Sequence, residues 1–203
     1  MKSNNISNSY SLVGLVKLLI RVLITKVRYP GQRIIRSGFE VRGRKMIKFG
    51  KGLTTGKGCR IEAFVADGNK KSKIFIGDRI QLNDYVHISA VESVSVGDDT
   101  LVASHVYISD NSHGSYAGDN NDSLPEEPPV KRAYFSAPVS IGKCVWIGEG
   151  VIIMPGSNIG DGAILGAHSV VKGVIPGNSI AVGSPARVVK KWNENKGHWE
   201  KVK

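Results

Sequence analysis

From Val139 to Val171 the apolar positions recur every six residues. The third place of successive hexads is Ile141, Ile147, Ile153, Ile159, Leu165 and Val171, and the place after it is glycine at Gly142, Gly148, Gly160 and Gly166. The first place is small or β-branched: Val139, Val145, Val151, Ser157, Ala163 and Ser169. A period of six fits neither an amphipathic helix nor a half-buried strand. It fits a hexapeptide solenoid, in which three hexads make one triangular coil and one aliphatic side chain per hexad points inward. Glycine and small residues allow the tight corners between faces. The same phase runs weakly through Phe49-Gly50, Thr55-Gly56 and Ile61, resumes at Ile76-Gly77, Leu82 and Ile88, slips by two residues, and continues at Val96-Gly97, Val102 and Ile108. Asp67 to Lys73 is a polar interruption. The phase then stops and returns at Ile141, so residues 109–138 are expected to leave the solenoid as a loop without secondary structure of its own. A loop of that length in a folded domain is functional or disordered. It opens with Asp110-Asn111-Ser112-His113-Gly114 and continues acidic and proline-rich.

The ends read differently. Leu12 to Val27 is apolar, broken by Lys17 and Arg21. As a helix it would carry one narrow polar stripe of Gly14, Lys17, Arg21, Thr25 and Arg28, and Tyr29-Pro30-Gly31 would end it. It lacks the unbroken apolar run of a spanning segment and the cleavage site of a signal peptide. Two readings stay open: packing on the protein's own oligomer, or peripheral contact of residues 10–28 with an anionic membrane surface. Residues 1–9 are polar and expected to be mobile. Residues 190–203 are basic, with Trp192 and Trp199 as docking aromatics for a short helix or tail. The expected division is therefore an N-terminal helix and lead-in over 1–44, a solenoid domain over 45–189 with the extruded loop, and a basic tail over 190–203.

Charge narrows the partners. The chain has 203 residues and a formal charge of +11, which favours anionic partners. No zinc finger, helix-turn-helix pattern or RNA-binding aromatic signature accompanies that charge, so nucleic acid is not expected. The two cysteines, Cys59 and Cys144, give no disulfide framework and suit a reduced, cytoplasmic setting with small buried side chains.

The hexads, together with Val145-Trp146-Ile147-Gly148 and Gly183-Ser184-Pro185-Ala186-Arg187-Val188, resemble the hexapeptide-repeat acyltransferases. The likeness is greatest to galactoside and maltose O-acetyltransferases and to O-acetyltransferases of bacterial surface polysaccharides, and covers roughly residues 45 to 190. It implies an all-β, left-handed parallel β-helix with short helical termini. It also implies a homotrimer, with acyl-CoA bound between neighbouring subunits as co-substrate.

Acyl transfer to a hydroxyl needs a base, donors for the tetrahedral oxyanion, and a thioester held against the acceptor. Histidine suits the first role because its pKa lies near neutrality. Of His87, His105, His113, His168 and His198, only His113 opens the extruded loop, and its position resembles that of the family's catalytic histidine. Asp110 could orient it or could simply form the turn. Asn83, in Leu82-Asn83-Asp84-Tyr85, matches an asparagine used near the acceptor in the sugar acetyltransferases, and an amide can donate or accept there. The same resemblance maps Trp146, Gly148, Ala167, Lys172 and Arg187 onto the acetyl-CoA groove. Small Gly148, Gly166 and Ala167 would let a pantetheine arm approach the backbone, and the two cations would meet phosphates. No metal is expected: the three-histidine zinc site of related carbonic anhydrases needs a second loop histidine where Gly118 stands. The expected activity is acetyl transfer from acetyl-CoA to a sugar hydroxyl, in a surface polysaccharide or its precursor. The alternatives are N-acetylation of an amino sugar, O-acetylation of an antibiotic, and a non-catalytic solenoid scaffold.

Overall fold

The computed structural model describes residues 11–65 and 73–202; the expectations for residues 1–9 and for Asp67 to Ser72 lie outside them. Short strands fall in rotation on three parallel sheets. The first sheet holds Glu40–Arg42, Arg60–Ala63, His87–Ala90, Tyr107–Ser109, Ile152–Ile153 and Val170–Val171. The second holds Ile47–Phe49, Ile74–Ile76, Val94–Val96, Val139–Ile141, Asn158–Ile159 and Val174–Ile175. The third holds Thr54–Thr55, Gln81–Leu82, Leu101–Val102, Trp146–Ile147, Ile164–Leu165 and Ser179–Gly183. Each strand pairs in parallel with the strand one coil above, as Tyr107–Ile108 does with Ile152–Ile153.

Burial explains the six-residue phase. The third-place residues Ile141 to Val171 are all buried, and so is every first-place residue from Val139 to Ser169. Each hexad therefore buries two side chains rather than one. The small first place fits inside because Ser157 donates its hydroxyl to the carbonyl of Met154 at 2.7 Å, which satisfies a buried polar group. At the corners, aspartates tie coil to coil. Asp78 and Asp84 accept the backbone N–H groups of Lys51 and Lys57 at 2.7 and 2.8 Å, and Asp161 accepts that of Lys143 at 2.7 Å.

Asp110 belongs to the same system. It is fully buried, and its carboxylate accepts the N–H groups of Val91, Glu92 and Ser93 at 2.9, 2.8 and 2.6 Å. Those three residues are the two-residue slip in the phase, now visible as an enlarged corner between the first and second sheets. The extruded loop leaves at the equivalent corner of the next coil. Contrary to expectation, it has secondary structure: Asn111–His113 and Tyr134–Ser136 form an antiparallel neck, and Pro129–Lys131 is a 3-10 turn.

The ends complete the architecture. A helix, α1 (Leu12–Arg28), begins at Ser11, whose hydroxyl accepts the Gly14 N–H. The buried Thr25 accepts the Ile35 N–H at 2.9 Å, and Tyr29, Phe39 and Phe49 form a chain of edge-on rings against the first coil. Sheet pairing already begins at Ile34 and Glu40. The C-terminal segment corrects the expectation of a short helix or tail. Ala186–Asn193 and His198–Lys201 extend the third sheet as an antiparallel hairpin, with Trp192 directly opposite Trp199 and ring centroids 5.4 Å apart. Cross-strand aromatic pairs of this kind stabilise sheets, so the two tryptophans serve each other.

Candidate active site at two edges of one sheet

The first sheet ends in two columns of corners, and the residues singled out in the sequence divide between them. The corner from the third to the first sheet carries Asn83, Ala103, Gly148 and Gly166 at equivalent positions in successive coils. Their backbone N–H groups donate to Val102, Ile147, Leu165 and Ala181 in turn, at 2.8 to 2.9 Å. Ala167 follows in the same column, and Trp146 stands just before it on the outer face of the third sheet, 53% exposed. The corner from the first to the second sheet carries Lys172 and the neck of the loop with His113. The four residues of His87–Ala90 lie between the columns, roughly 13 Å of extended chain. Asn83 and His113 of one chain therefore lie at opposite edges of this sheet, as do Trp146 and Lys172.

The His113 edge is built by the neck. His113 pairs with Tyr134, their ring centroids 4.7 Å apart, and its side chain is exposed. The Tyr116 hydroxyl donates to the His113 carbonyl at 2.5 Å, and Arg132 donates to that hydroxyl at 2.6 Å. Arg132 also donates to the carbonyls of Glu127 and Pro125 at 2.9 and 3.0 Å. One guanidinium fork thus ties three points of the loop. On the other face of the neck from His113 and Tyr134 is a cleft of about 490 Å³ whose walls include Ser112, Tyr116, Phe135, Met154 and Lys172. It has the concave, mainly apolar character of small-molecule sites, with a few polar groups converging. Neither Tyr134 nor Arg132 was singled out in the sequence. Arg132 had a cue, as a cation closing an acidic, proline-rich stretch; Tyr134 had none, because its contact depends on a pairing across twenty residues.

Asp110 does not orient His113, because its carboxylate is used by the enlarged corner and by the Asn111 side chain at 2.9 Å. Asn83 accepts from the Gln81 amide at 3.1 Å. Gly148 is explained by stacking: a Cβ there would lie 2.7 Å from the Ala167 nitrogen and the Leu165 oxygen. Gly166 likewise faces Val182. The neighbouring coil requires their small size. Ala167 and Trp146 remain exposed at that edge, and Arg187, on the hairpin strand opposite Val182, is exposed as well.

Three other histidines sit at corners or on a sheet face. His105 and His168 occupy left-handed corner positions, φ 60° and 57°, and His105 stacks on Tyr85 at 5.2 Å. His87 lies on the outer face of the first sheet beside Arg60 and the buried Glu62, its Nε2 3.6 Å from a Glu62 oxygen. Burial pushes the His87 imidazole below its ordinary pKa and the Arg60 charge adds to the shift, while Glu62 opposes it. Among the described residues there is no group of three His, Cys, Asp or Glu side chains able to hold a metal ion.

Residues 138–173 match the bacterial transferase hexapeptide family (six repeats). The chain is 43% identical over 197 residues to the putative lipopolysaccharide biosynthesis O-acetyl transferase WbbJ of Escherichia coli K12, covering 97% of this chain and 98% of that protein. Among solved structures, galactoside acetyltransferase in complex with coenzyme A superimposes with a TM-score of 0.56 and 26% identity, covering 82% of this chain and 73% of that one. A mutant of the N-acyltransferase AntD from Bacillus cereus, in complex with an amino-dideoxy sugar nucleotide and coenzyme A, shares the fold with a TM-score of 0.66 at 21% identity, over 86% and 90% of the chains. With a relative this similar along essentially its whole length, the chain belongs to the hexapeptide-repeat acetyltransferase family.

Proposed function

We propose that this protein transfers the acetyl group of acetyl-CoA to a hydroxyl of a sugar, in a surface polysaccharide or its precursor. It works in the cytoplasm as a homotrimer of left-handed β-helices. One observation carries the reading: His113 stands exposed on a braced neck where the chain leaves the coil, at the edge of the first sheet opposite Asn83. The near full-length similarity to a lipopolysaccharide O-acetyl transferase supports oxygen as the acceptor atom.

In this reading the His113 imidazole takes the proton of the acceptor hydroxyl as its oxygen attacks the thioester carbon. The tetrahedral intermediate collapses, the carbon–sulfur bond breaks, and the imidazolium returns the proton to the CoA thiolate. Asn83 contacts the acceptor or the acetyl group. Trp146, Ala167, Lys172 and Arg187 hold the cofactor, and Gly148 keeps the coil edge thin beside it. The separation of the half-sites across the first sheet calls for a second copy, whose Asn83 edge would stand against the His113 edge of its neighbour.

The test is a panel of sugars and sugar nucleotides offered with acetyl-CoA, with release of the CoA thiol as readout. Turnover with hydroxyl acceptors supports the reading. Turnover confined to amino sugars replaces it with N-acetylation, and coenzyme A binding without any turnover replaces it with a non-catalytic scaffold.

A further inference from the structure

Helix α1 lies on the first coil with its apolar side outward. Its inward side holds Gly14, Leu18, Arg21, Val22 and the buried Thr25. Its outward side shows Leu12, Val16, Leu19, Leu23 and Val27, with Leu12 80% and Val27 83% exposed. A contiguous apolar face of this size is not left in water. Beneath the helix an open groove of about 540 Å³ is lined by the apolar Leu18, Ile20, Ile24 and Ile34 together with Lys17, Arg21, Arg36 and Lys57, with no acidic residue in its wall. The Arg36 Nε is buried and, among the described residues, has no hydrogen-bond partner. A buried guanidinium donor without an acceptor is costly; an anionic oxygen in the groove would remove that cost. The charge of this part of the chain is almost all of one sign, and Asp84, beside Lys57, comes from the next coil. The first 61 residues hold 14 of the 28 Lys and Arg residues, against Glu40 alone.

We propose that α1 and the cationic groove beneath it form a docking site for an anionic phospholipid membrane. The apolar face lies at the boundary between headgroups and acyl chains. The groove receives a headgroup phosphate, with Arg36 as its forked donor. Among the described residues no helix is long and apolar enough to cross a membrane, which suits a helix lying in the interface. A second copy is the poorer occupant. Packing of α1 on α1 would bring two such cationic ends together, and like charges oppose that; packing of α1 on a different face of a trimer neighbour is an outcome the oligomeric mass decides. Lys57 lies one coil from Asn83 in the same column of corners, its N–H donated to Asp84 at 2.8 Å; vesicle binding is read without turnover, so the test does not depend on the proposed reaction.

The experiment is flotation of the full-length protein with neutral phosphatidylcholine vesicles and with vesicles doped with phosphatidylglycerol. Light scattering and thermal unfolding are followed in parallel. Binding should be about tenfold or more tighter to the anionic vesicles and weaken steeply with salt, and replacing Arg36 or Lys57 by glutamine should each weaken it roughly fivefold. Leu19→Glu with Leu23→Glu should abolish binding without changing the oligomeric mass, since both residues face outward. Arg36→Gln leaves the apolar face intact and keeps the test valid if the double glutamate variant unfolds. Equal binding to both vesicle types, or none to either, overturns the proposal. So does a fall in oligomeric mass in the double variant, which would assign the face to a second copy. Saturable binding of inorganic phosphate without vesicle binding would assign the groove to a soluble anion and also overturns it.

Discussion

His113 and Tyr134 face each other across the neck of the extruded loop, their ring centroids 4.7 Å apart with planes tilted by 39°. The contact holds the imidazole against a flat apolar surface, while the Tyr116 and Arg132 bonds hold its backbone. Tyr134 is thus a positioning residue. Tyr134→Ala should lower kcat by about tenfold, the scale of losing a rigid orientation, with a smaller change in KM for acetyl-CoA. Tyr134→Phe should stay near wild type. Steady-state kinetics with a working acceptor decide it; equal losses in both variants would mean that the hydroxyl, not the ring contact, matters.

Asp110 should prove a stability residue. Its carboxylate satisfies three backbone donors at the enlarged corner. Asp110→Ala leaves them without that acceptor at a cost of about 3 kcal/mol or more. Denaturant unfolding of the variant should show a lower midpoint, and coenzyme A affinity measured well below that midpoint should be retained.

The solenoid was legible in the sequence because each coil repeats the same local problem. Ile141, Ile147 and Ile153 each need an inward position, and six residues is the spacing that supplies one per face. The loop was legible because the phase stops after Ile108 and returns at Ile141. Its antiparallel neck was not, because Asn111–His113 finds its partner in Tyr134–Ser136, beyond a stretch whose turns depend on Arg132 and Asp122. The C-terminal hairpin was missed for a related reason: Trp192 and Trp199 look like loose aromatics until the strands bring them opposite one another. The Cβ direction of Gly148 is filled by the next coil, a structural need that stands beside the room for a ligand implied by the resemblance. A periodic sequence does not distinguish a glycine needed by the coil from one needed by a cofactor.

His87 sets a pH dependence of stability. Its folded pKa is depressed, first by burial and then by Arg60, so the folded state disfavours the imidazolium. In unfolded chains the ring titrates near about 6.5. The unfolded state then binds more protons in the window below that value, and the stability held above it is lost as pH falls toward the folded pKa. Thermal midpoints should drop between roughly pH 7 and pH 5, and His87→Gln should flatten part of that drop. An identical slope in the variant would assign the effect to other groups.

Lys172 and Arg187 occupy different edges of the molecule, and coenzyme A affinity should separate their roles. Removal of a charge-assisted phosphate contact costs roughly 1.5–3 kcal/mol. If either residue meets the 3′-phosphate, its alanine variant should weaken coenzyme A binding more than dephospho-coenzyme A binding in calorimetry. Equal losses for both ligands would move that residue to the diphosphate or the pantetheine arm.

The central claim is that His113 supplies the base in a site completed by the Asn83 edge of another copy. His113→Ala should lower kcat by about 10²–10⁴-fold with coenzyme A affinity kept, and Asn83→Ala should be strongly impaired. The most direct test is to refold the two inactive variants together at equal amounts and measure acetyl transfer. If each site takes its histidine from one copy and its asparagine from another, random mixing restores about a quarter of wild-type activity, one half times one half. Mixed oligomers as silent as their parents would contradict the shared site and place both residues in one protomer's chemistry.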